Sequence, residues 1–254
     1  MSGELEGKRA LVTGASRGIG KAIATEFVRQ GAEVVLASRK QEALDAVAEE
    51  LNSLGVGRAH PRACHIGDPE AVTALLDWAD ASIGRIEVLV NNAATNPHFG
   101  PMFSVDGGAW QKTFDVNVRG TFELTRRVVE RLLEHSESGS VINVTSILGV
   151  NASPLMGVYG MTKAAIISMT KTLAIELGTR GIRVNAIAPG LVETRFAQAL
   201  LGNEEVSRTF IQRTALRRHG QVDDLTGPAV FLASDASRYV TGHVLNVDGG
   251  YLVS

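Results

Sequence analysis

The chain has 254 residues, 44% of them hydrophobic, enough for a sizeable core in one large domain or two small ones. A formal charge of −2 gives no global field that would draw nucleic acid. The lone cysteine, Cys64, excludes an intrachain disulfide and points to a reducing compartment, the cytoplasm. With a polar stretch from Met1 to Lys8 and no run of about eighteen apolar residues, neither a secretory leader nor a membrane span is expected.

Strand and helix alternate along the chain. Arg9 to Val12 reads as a short apolar strand. Gly18 to Gln30 follows as a helix with Ile19, Ile23, Phe27 and Val28 on one stripe, stopped by Gly31. A second strand, Val34 to Ala37, precedes a helix from Gln41 to Leu54. Ala63 to Ile66 reads as the third strand, and Pro69 to Ile83 as the next helix, with Asp68 as its N-cap rather than a site acid. Further strands are expected at Val88 to Val90, Val141 to Val144, Val184 to Ile187 and Val244 to Val247. Long helices should fill Val116 to Leu133 and Val158 to Leu177. The alternation predicts a single α/β domain over residues 1–254, a doubly wound, seven-stranded parallel sheet with helices on both faces.

Chemistry concentrates in two stretches. The first strand-to-helix turn, Thr13-Gly14-Ala15-Ser16-Arg17-Gly18-Ile19-Gly20, lets the backbone approach a diphosphate at a helix N-terminus. The second stretch runs from Asn143-Val144-Thr145-Ser146 to Tyr159-Gly160-Met161-Thr162-Lys163. Tyr159 and Lys163, four residues apart, share one helix face. An ammonium beside a phenol is expected to lower the Tyr159 pKa from about 10 and yield a proton donor or acceptor usable near neutral pH. Ser146 stands at the carboxyl end of a buried strand, where open α/β sheets bind ligands. Of the three tyrosines, only Tyr159 has a Lys at this spacing. His60, His98, His135, His219 and His243 show no metal spacing and read as surface or loop residues, with His98 the one to watch.

With these residues in hand, the chain resembles the short-chain dehydrogenase/reductase family along nearly its whole length. The motifs are Thr13-Gly14-x-x-x-Gly18-x-Gly20, Asn91-Asn92-Ala93-Ala94, Asn117, Ser146, Tyr159-x-x-x-Lys163 and Pro189-Gly190-x-x-x-Thr194. The resemblance implies a Rossmann sheet, a nicotinamide cofactor and a catalytic tetrad of Asn117, Ser146, Tyr159 and Lys163. In that scheme Ser146 holds the carbonyl oxygen and Tyr159 protonates it. Lys163 lowers the phenol's pKa and binds the nicotinamide ribose, and Asn117 fixes a water linking Lys163 to solvent. Cofactor contacts are implied for Gly14, Ser16, Arg17, Gly18, Ile19, Gly20, Ser38, Arg39, Asn91, Ala93, Tyr159, Lys163, Pro189, Gly190, Val192 and Thr194. His65 and Ile66 stand at the adenine position, where the family often has Asp-Val, and Ala94 replaces the usual Gly. The family is usually tetrameric, with the two long helices and the last strand at interfaces. The stretches Ser38-Arg39-Lys40, Cys64-His65-Ile66-Gly67 and Ala93-Ala94-Thr95-Asn96-Pro97 are similar to NADPH-dependent carbonyl and retinal reductases of animals.

The cofactor can also be read from the residues. An NAD enzyme of this design needs a carboxylate near the end of the second strand, and Ser38-Arg39-Lys40 has none. Arg39 offers a planar fork for a 2′-phosphate and Arg17 a second approach, so NADP(H) is expected over NAD(H). A lid is expected at about 192–217. Together with the loop from Asn96, it supplies Phe99, Met102, Phe103, Leu155, Met156, Phe196 and Leu200. His98, Leu155, Met156 and Phe196 are the candidate substrate contacts, and the substrate is expected to be an apolar ketone or aldehyde, or the corresponding alcohol. The alternatives are a β-ketoacyl carrier-protein reductase, against which Ile175 counts because many of those enzymes have Arg there, an alcohol or sugar-acid dehydrogenase, and a non-catalytic dinucleotide-binding module.

Overall fold

The computed structural model describes residues 3–254. Seven parallel strands form one sheet in the order β3-β2-β1-β4-β5-β6-β7. They are β1 (Arg9–Thr13), β2 (Glu33–Ser38), β3 (Arg58–Ala63), β4 (Val88–Asn91), β5 (Gly139–Val144), β6 (Ile182–Pro189) and β7 (Val244–Val247). The central strands are near-continuous apolar runs because both faces are covered. Ala10 and Val12 of β1 face one core with α1 (Gly18–Arg29), α2 (Gln41–Asn52) and α9 (Thr226–Ala233). Leu11 faces the other, with α3 (Pro69–Ser82), α5 (Thr121–Glu134) and α6 (Gly157–Leu177). Strand order reverses at β1, which pairs β2 on one side and β4 on the other. The crevice at the carboxyl ends of β1 and β4 is where an open α/β sheet takes a ligand.

Two expected elements are displaced. The third strand is Arg58–Ala63, not Ala63–Ile66. Only β2 pairs with it, so it is an edge strand, where polar residues and Pro61 are tolerated and no apolar run is needed. Cys64 and Ile66, which suggested a strand, are instead buried in the loop beneath α3. The helix expected from Val116 to Leu133 divides. A short α4 (Gly107–Phe114) runs into a π-helical turn, Asp115–Gly120, and α5 begins at Thr121. Asp68 does cap α3, its Oδ1 accepting from the N–H groups of Glu70 and Ala71, with Pro69 first in the helix.

Beyond β6 the chain forms a 3-10 turn, Arg195–Ala197, then α7 (Gln198–Leu201) and α8 (Glu204–Arg213). No residue of α8 is buried. Its hold is at the far end, where the Phe210 ring stacks on Tyr251 with centroids 4.4 Å apart. His219 departs from the surface reading: it is buried, with Nε2 2.8 Å from the Ser207 hydroxyl. His60 likewise lies within β3, paired with Glu33. Among the described residues no helix is long and apolar enough to cross a membrane.

Candidate functional site

The glycine turn is shaped by Asn92. Its amide donates to Thr13 O (2.9 Å) and Gly14 O (3.4 Å). A Cβ on Gly14 would stand 2.7 Å from that amide nitrogen, one on Gly20 would collide with it, and Gly14 has φ +67°. The Thr13 hydroxyl donates to Val90 O and accepts from the N–H groups of Asn92 and Ala93. These bonds lock the end of β1 to the end of β4. In α1 the first backbone bond runs from Lys21 N–H to Arg17 O, and Arg17, the N-cap, offers no side-chain cap. The N–H groups of Gly18, Ile19 and Gly20 are therefore the free positive end of the helix.

Beside this turn, at the end of β2, the Ser38 hydroxyl donates to the Ser16 hydroxyl (3.2 Å), and Arg17, Arg39 and Lys40 are exposed. β2 ends at Ala37 and Ser38, and Arg39 follows, where the sequence has no carboxylate. His65 is exposed and turned onto its own loop, Nδ1 accepting from the Gly67 N–H (3.1 Å), while the Ile66 side chain is buried. Pro189 ends β6, and Gly190 passes so close to Asp248 that a Cβ would stand 3.0 Å from its Cα. Val192 is buried and bridged to Gly220. Thr194 caps the following 3-10 turn, its methyl 3.6 Å from the place of a Cβ on Gly18. The glycine turn and the segment after β6 thus meet.

Ser146, Tyr159 and Lys163 converge on the same side. Ser146 lies two residues past β5, where its oxygen accepts from the Leu148 N–H (3.1 Å), which leaves the hydroxyl proton to donate. The 3-10 turn it starts, Ile147–Gly149, lies directly on α6. A Cβ on Gly160 would stand 2.8 Å from Leu148 O, and one on Gly149 would stand 2.7 Å from Lys163 C. Two glycines thereby bring the Ser146 loop onto the helix face bearing Tyr159 and Lys163. Lys163 donates to Val144 O (2.8 Å), and its Nζ lies 5.4 Å from the centroid of the Tyr159 ring.

The electrostatics run against the expectation from spacing. Burial pushes the Tyr159 phenol above its usual pKa and pulls Lys163 down to about 8. Desolvation disfavours both charged forms, and the ammonium is directed at a carbonyl rather than at the phenol oxygen. The chain's own packing holds Tyr159 as a neutral phenol.

Asn117 sits in the π-helical turn. Its Oδ1 accepts from Thr95 N–H (2.8 Å), and its Nδ2 donates to Thr95 O (2.9 Å) and the Thr162 hydroxyl (3.1 Å). Its backbone carbonyl accepts from Thr121. The side chain ties the loop after β4 to the helix of Tyr159. Asn91 is also turned inward, to Thr125 and Asn143.

The expected substrate contacts divide. The Phe196 ring lies 5.5 Å from that of Tyr159, tilted 45°, and is half exposed. Leu155 is at the surface with φ +67°, its carbonyl accepting from the Gly100 N–H (2.9 Å). Met156 is buried. His98 points Nε2 at Pro101 O of its own loop. Asn92, Thr95, Thr162, Gly149 and Gly160 were not anticipated as site-building residues. A polar pair closing β4 and a glycine inside Tyr159-x-x-x-Lys163 were the signals for two of them. Among the described residues no cluster of His, Cys, Asp and Glu is placed to hold a metal ion.

The chain is similar to known proteins over nearly its whole length. A family model described as enoyl-(acyl carrier protein) reductase matches residues 14–252. The human dehydrogenase/reductase SDR family member 4 is 39% identical over 246 residues, 97% of this chain and 88% of that protein. A 3-oxoacyl-acyl-carrier-protein reductase of Thermotoga maritima is 37% identical over 249 residues, 98% of this chain and 99% of that one. The crystal structure of a gluconate 5-dehydrogenase from Burkholderia cenocepacia, in complex with NADP and tartrate, superposes with a TM-score of 0.94 at 34% identity, covering 98% of this chain and 97% of that one.

Proposed function

The chain belongs to the short-chain dehydrogenase/reductase family of oxidoreductases, and we propose that it reduces apolar ketones and aldehydes with NADP(H), or oxidises the corresponding alcohols. The observation that carries this reading is the meeting of Ser146, Tyr159 and Lys163 beside the glycine turn, at the carboxyl ends of the central strands.

The residues fit a dinucleotide. Gly14 and Gly20 let Asn92 close tightly on the turn, and the free N–H groups of Gly18, Ile19 and Gly20 that the turn presents suit a diphosphate. Ser16, Arg17, Ser38 and Arg39 would hold a 2′-phosphate. His65, Ile66, Asn91, Ala93, Pro189, Gly190, Val192 and Thr194 would line the remainder, and Lys163 would hold the ribose. When bound, the nicotinamide supplies the hydride. Ser146 donates its hydroxyl hydrogen to the substrate oxygen, where negative charge develops, an effect worth about 3 kcal/mol for one such donor. Tyr159, held protonated by burial, gives that oxygen its proton. Lys163 keeps a partly charged donor at the floor of the site. Asn117 acts through Thr95 and Thr162 to place the loop and the helix.

Phe196 supports an apolar substrate, because its ring covers the phenol and presents a half-exposed aromatic face. Met102 adds to this wall: a Cβ on Gly157, two residues before Tyr159, would stand 2.9 Å from its sulfur. Segment 192–217, anchored at its far end by Phe210, would serve as the lid. The Thermotoga relative favours a carrier-bound β-keto substrate as the second reading, yet position 175, where many carrier-protein reductases have Arg, holds Ile175 here, 82% exposed. The proposal includes a cytoplasmic homotetramer, supported by the buried free thiol of Cys64 and by half-exposed Val244, Leu245 and Val247 on edge strand β7. Sedimentation velocity tests the assembly. For the reaction, NADPH absorbance is followed over aromatic ketones, aldehydes, keto acids, sugar acids and an acetoacetyl carrier protein. The highest kcat/KM is expected for an aromatic ketone or aldehyde. A strong preference for the carrier would install the second reading, and cofactor binding without turnover would leave a binding module.

A further inference from the structure

Buried polar side chains form a ladder across the sheet beneath the site. Asn91 and Asn143 are register partners at the ends of β4 and β5. Asn91 Nδ2 donates to Asn143 Oδ1 and to the Thr125 hydroxyl on α5, both at 2.9 Å. Asn143 Nδ2 donates to the Thr170 hydroxyl on α6, also at 2.9 Å. Each threonine passes its proton to the carbonyl four residues back, Thr121 O and Ile166 O. The chain continues upward, because Thr121 donates to Asn117 O and Asn117 donates to the Thr162 hydroxyl on α6. Hydrogen bonds, joined through the backbone of Thr121 and Asn117, therefore link Thr170 of α6, by way of β5, β4 and α5, to Thr162 of the same helix. Every side chain in this ladder is at most 6% exposed.

Apolar surfaces would bury the same area without directional bonds, and they tolerate small axial slips. Hydrogen bonds in a low-dielectric interior do not, because a slipped partner leaves a buried donor unpaired, at about 1–3 kcal/mol. The stretch of α6 between Thr162 and Thr170 begins with Lys163, and the same helix carries Tyr159 one turn earlier. On the other side, Asn143 lies one residue from the carbonyl that takes the Lys163 ammonium and three from Ser146. We propose that Asn143 and Thr170 are positioning residues that fix the axial register of α6 on β5, and with it the placement of Tyr159 and Lys163 against Ser146. The proposal rests on the functional reading above and adds residues that touch neither substrate nor cofactor.

Thr170→Val keeps the shape and removes the hydroxyl, and Thr170→Ser restores it. In the full-length enzyme, with chemistry made limiting and checked by a deuterium isotope effect, Thr170→Val is expected to lower kcat on the order of 10-fold, as misplacement by a fraction of an ångström would. KM for NADPH should stay within about 2-fold, and the pH midpoint of kcat should move. Thr170→Ser is expected to stay within about 2-fold of wild type in kcat, at the wild-type midpoint. A folded Thr170→Val with unchanged kcat and midpoint would overturn the proposal, as would a Thr170→Ser that loses as much. Should Thr170→Val not fold, Thr125→Val breaks the ladder at its other end and is judged by the same criteria. Amide hydrogen exchange supplies a readout independent of turnover: residues 159–166 should exchange faster in the valine variant and at the wild-type rate in the serine variant. Unchanged exchange in Thr170→Val overturns the positioning role even if wild type reduces no carbonyl, an outcome that would by itself defeat only the functional reading.

Discussion

Lys163 offers the sharpest test of how burial acts on the site. Its pKa falls from 10.5 to about 8 because burial penalises the ammonium. That depression corresponds to about 3 kcal/mol of differential stability between its two protonation states. Below pH 8 the lysine is charged both in the folded protein and in the unfolded chain, and the full penalty is present. Between pH 8 and 10.5 the unfolded chain binds the extra proton, so stability rises with pH, with a limiting slope of about 1.4 kcal/mol per pH unit. Above that window the penalty is gone. Lys163→Met removes the titration while roughly keeping the volume, though it leaves Val144 O without its donor, at about 1–3 kcal/mol. The two effects oppose each other at pH 7, so the informative quantity is the difference between variant and wild type as pH rises. Cys64, raised to about 11, acts the opposite way from pH 9 upward but is common to both proteins. Urea unfolding at intervals from pH 7 to 10 is expected to show wild type gaining about 2 kcal/mol on Lys163→Met. Parallel stability curves across that range would refute the claim that desolvation governs this lysine.

Three further outcomes are expected. Tyr159→Phe removes the proton donor with little change of volume, so turnover should fall 10²–10⁴-fold with cofactor affinity kept, on the order of a lost general acid; retention of more than about a tenth of the rate where chemistry limits contradicts the role. Arg39→Ala should weaken NADPH by about 10–150-fold, the equivalent of one hydrogen bond to a charged group, with less effect on NADH; the ratio of kcat/KM for the two cofactors measures it, and an unchanged ratio removes the 2′-phosphate assignment. Gly160→Ala places a methyl 2.8 Å from Leu148 O, a backbone atom, so the Ser146 turn must shift. A loss of about 1–3 kcal/mol in thermal or urea unfolding is expected, together with a lower kcat, and wild-type values for both would show that the close approach does not matter.

The parts of this fold that could be read from sequence are those where one physical term dominates. β1, β2, β4, β5 and β6 are buried on both faces, so apolar residues dominate them and their positions follow directly. β3 has one strand neighbour, so Arg58, Pro61 and Arg62 are acceptable there and no apolar signal marks it. The π-helical turn at Asp115–Gly120 adds a residue to one turn while the apolar periodicity resumes beyond it, which makes the break invisible to pattern. In the site, Asn91 and Asn92 look equivalent as letters. Successive side chains of a strand point to opposite faces, so Asn91 enters the ladder under α5 while Asn92 builds the glycine turn. Nothing in a sequence window shows which face holds which partner.

The spacing of Tyr159 and Lys163 established that they share a helix face, but not the sign of their effect on each other. Sign depends on the balance between attraction across the gap and the loss of water around both groups. Here the ammonium bonds Val144 O, and both side chains lie against the covered floor of the crevice. Desolvation then exceeds attraction: the phenol is raised, and the lysine is lowered toward neutrality near pH 8. A phenol that keeps its proton at neutral pH is ready to act as an acid. The same packing opposes its service as a base, which requires the phenolate. Reduction of a carbonyl uses the first state and oxidation of an alcohol the second. On the proposed reading, the buried phenol is therefore suited to give a substrate oxygen its proton near neutral pH.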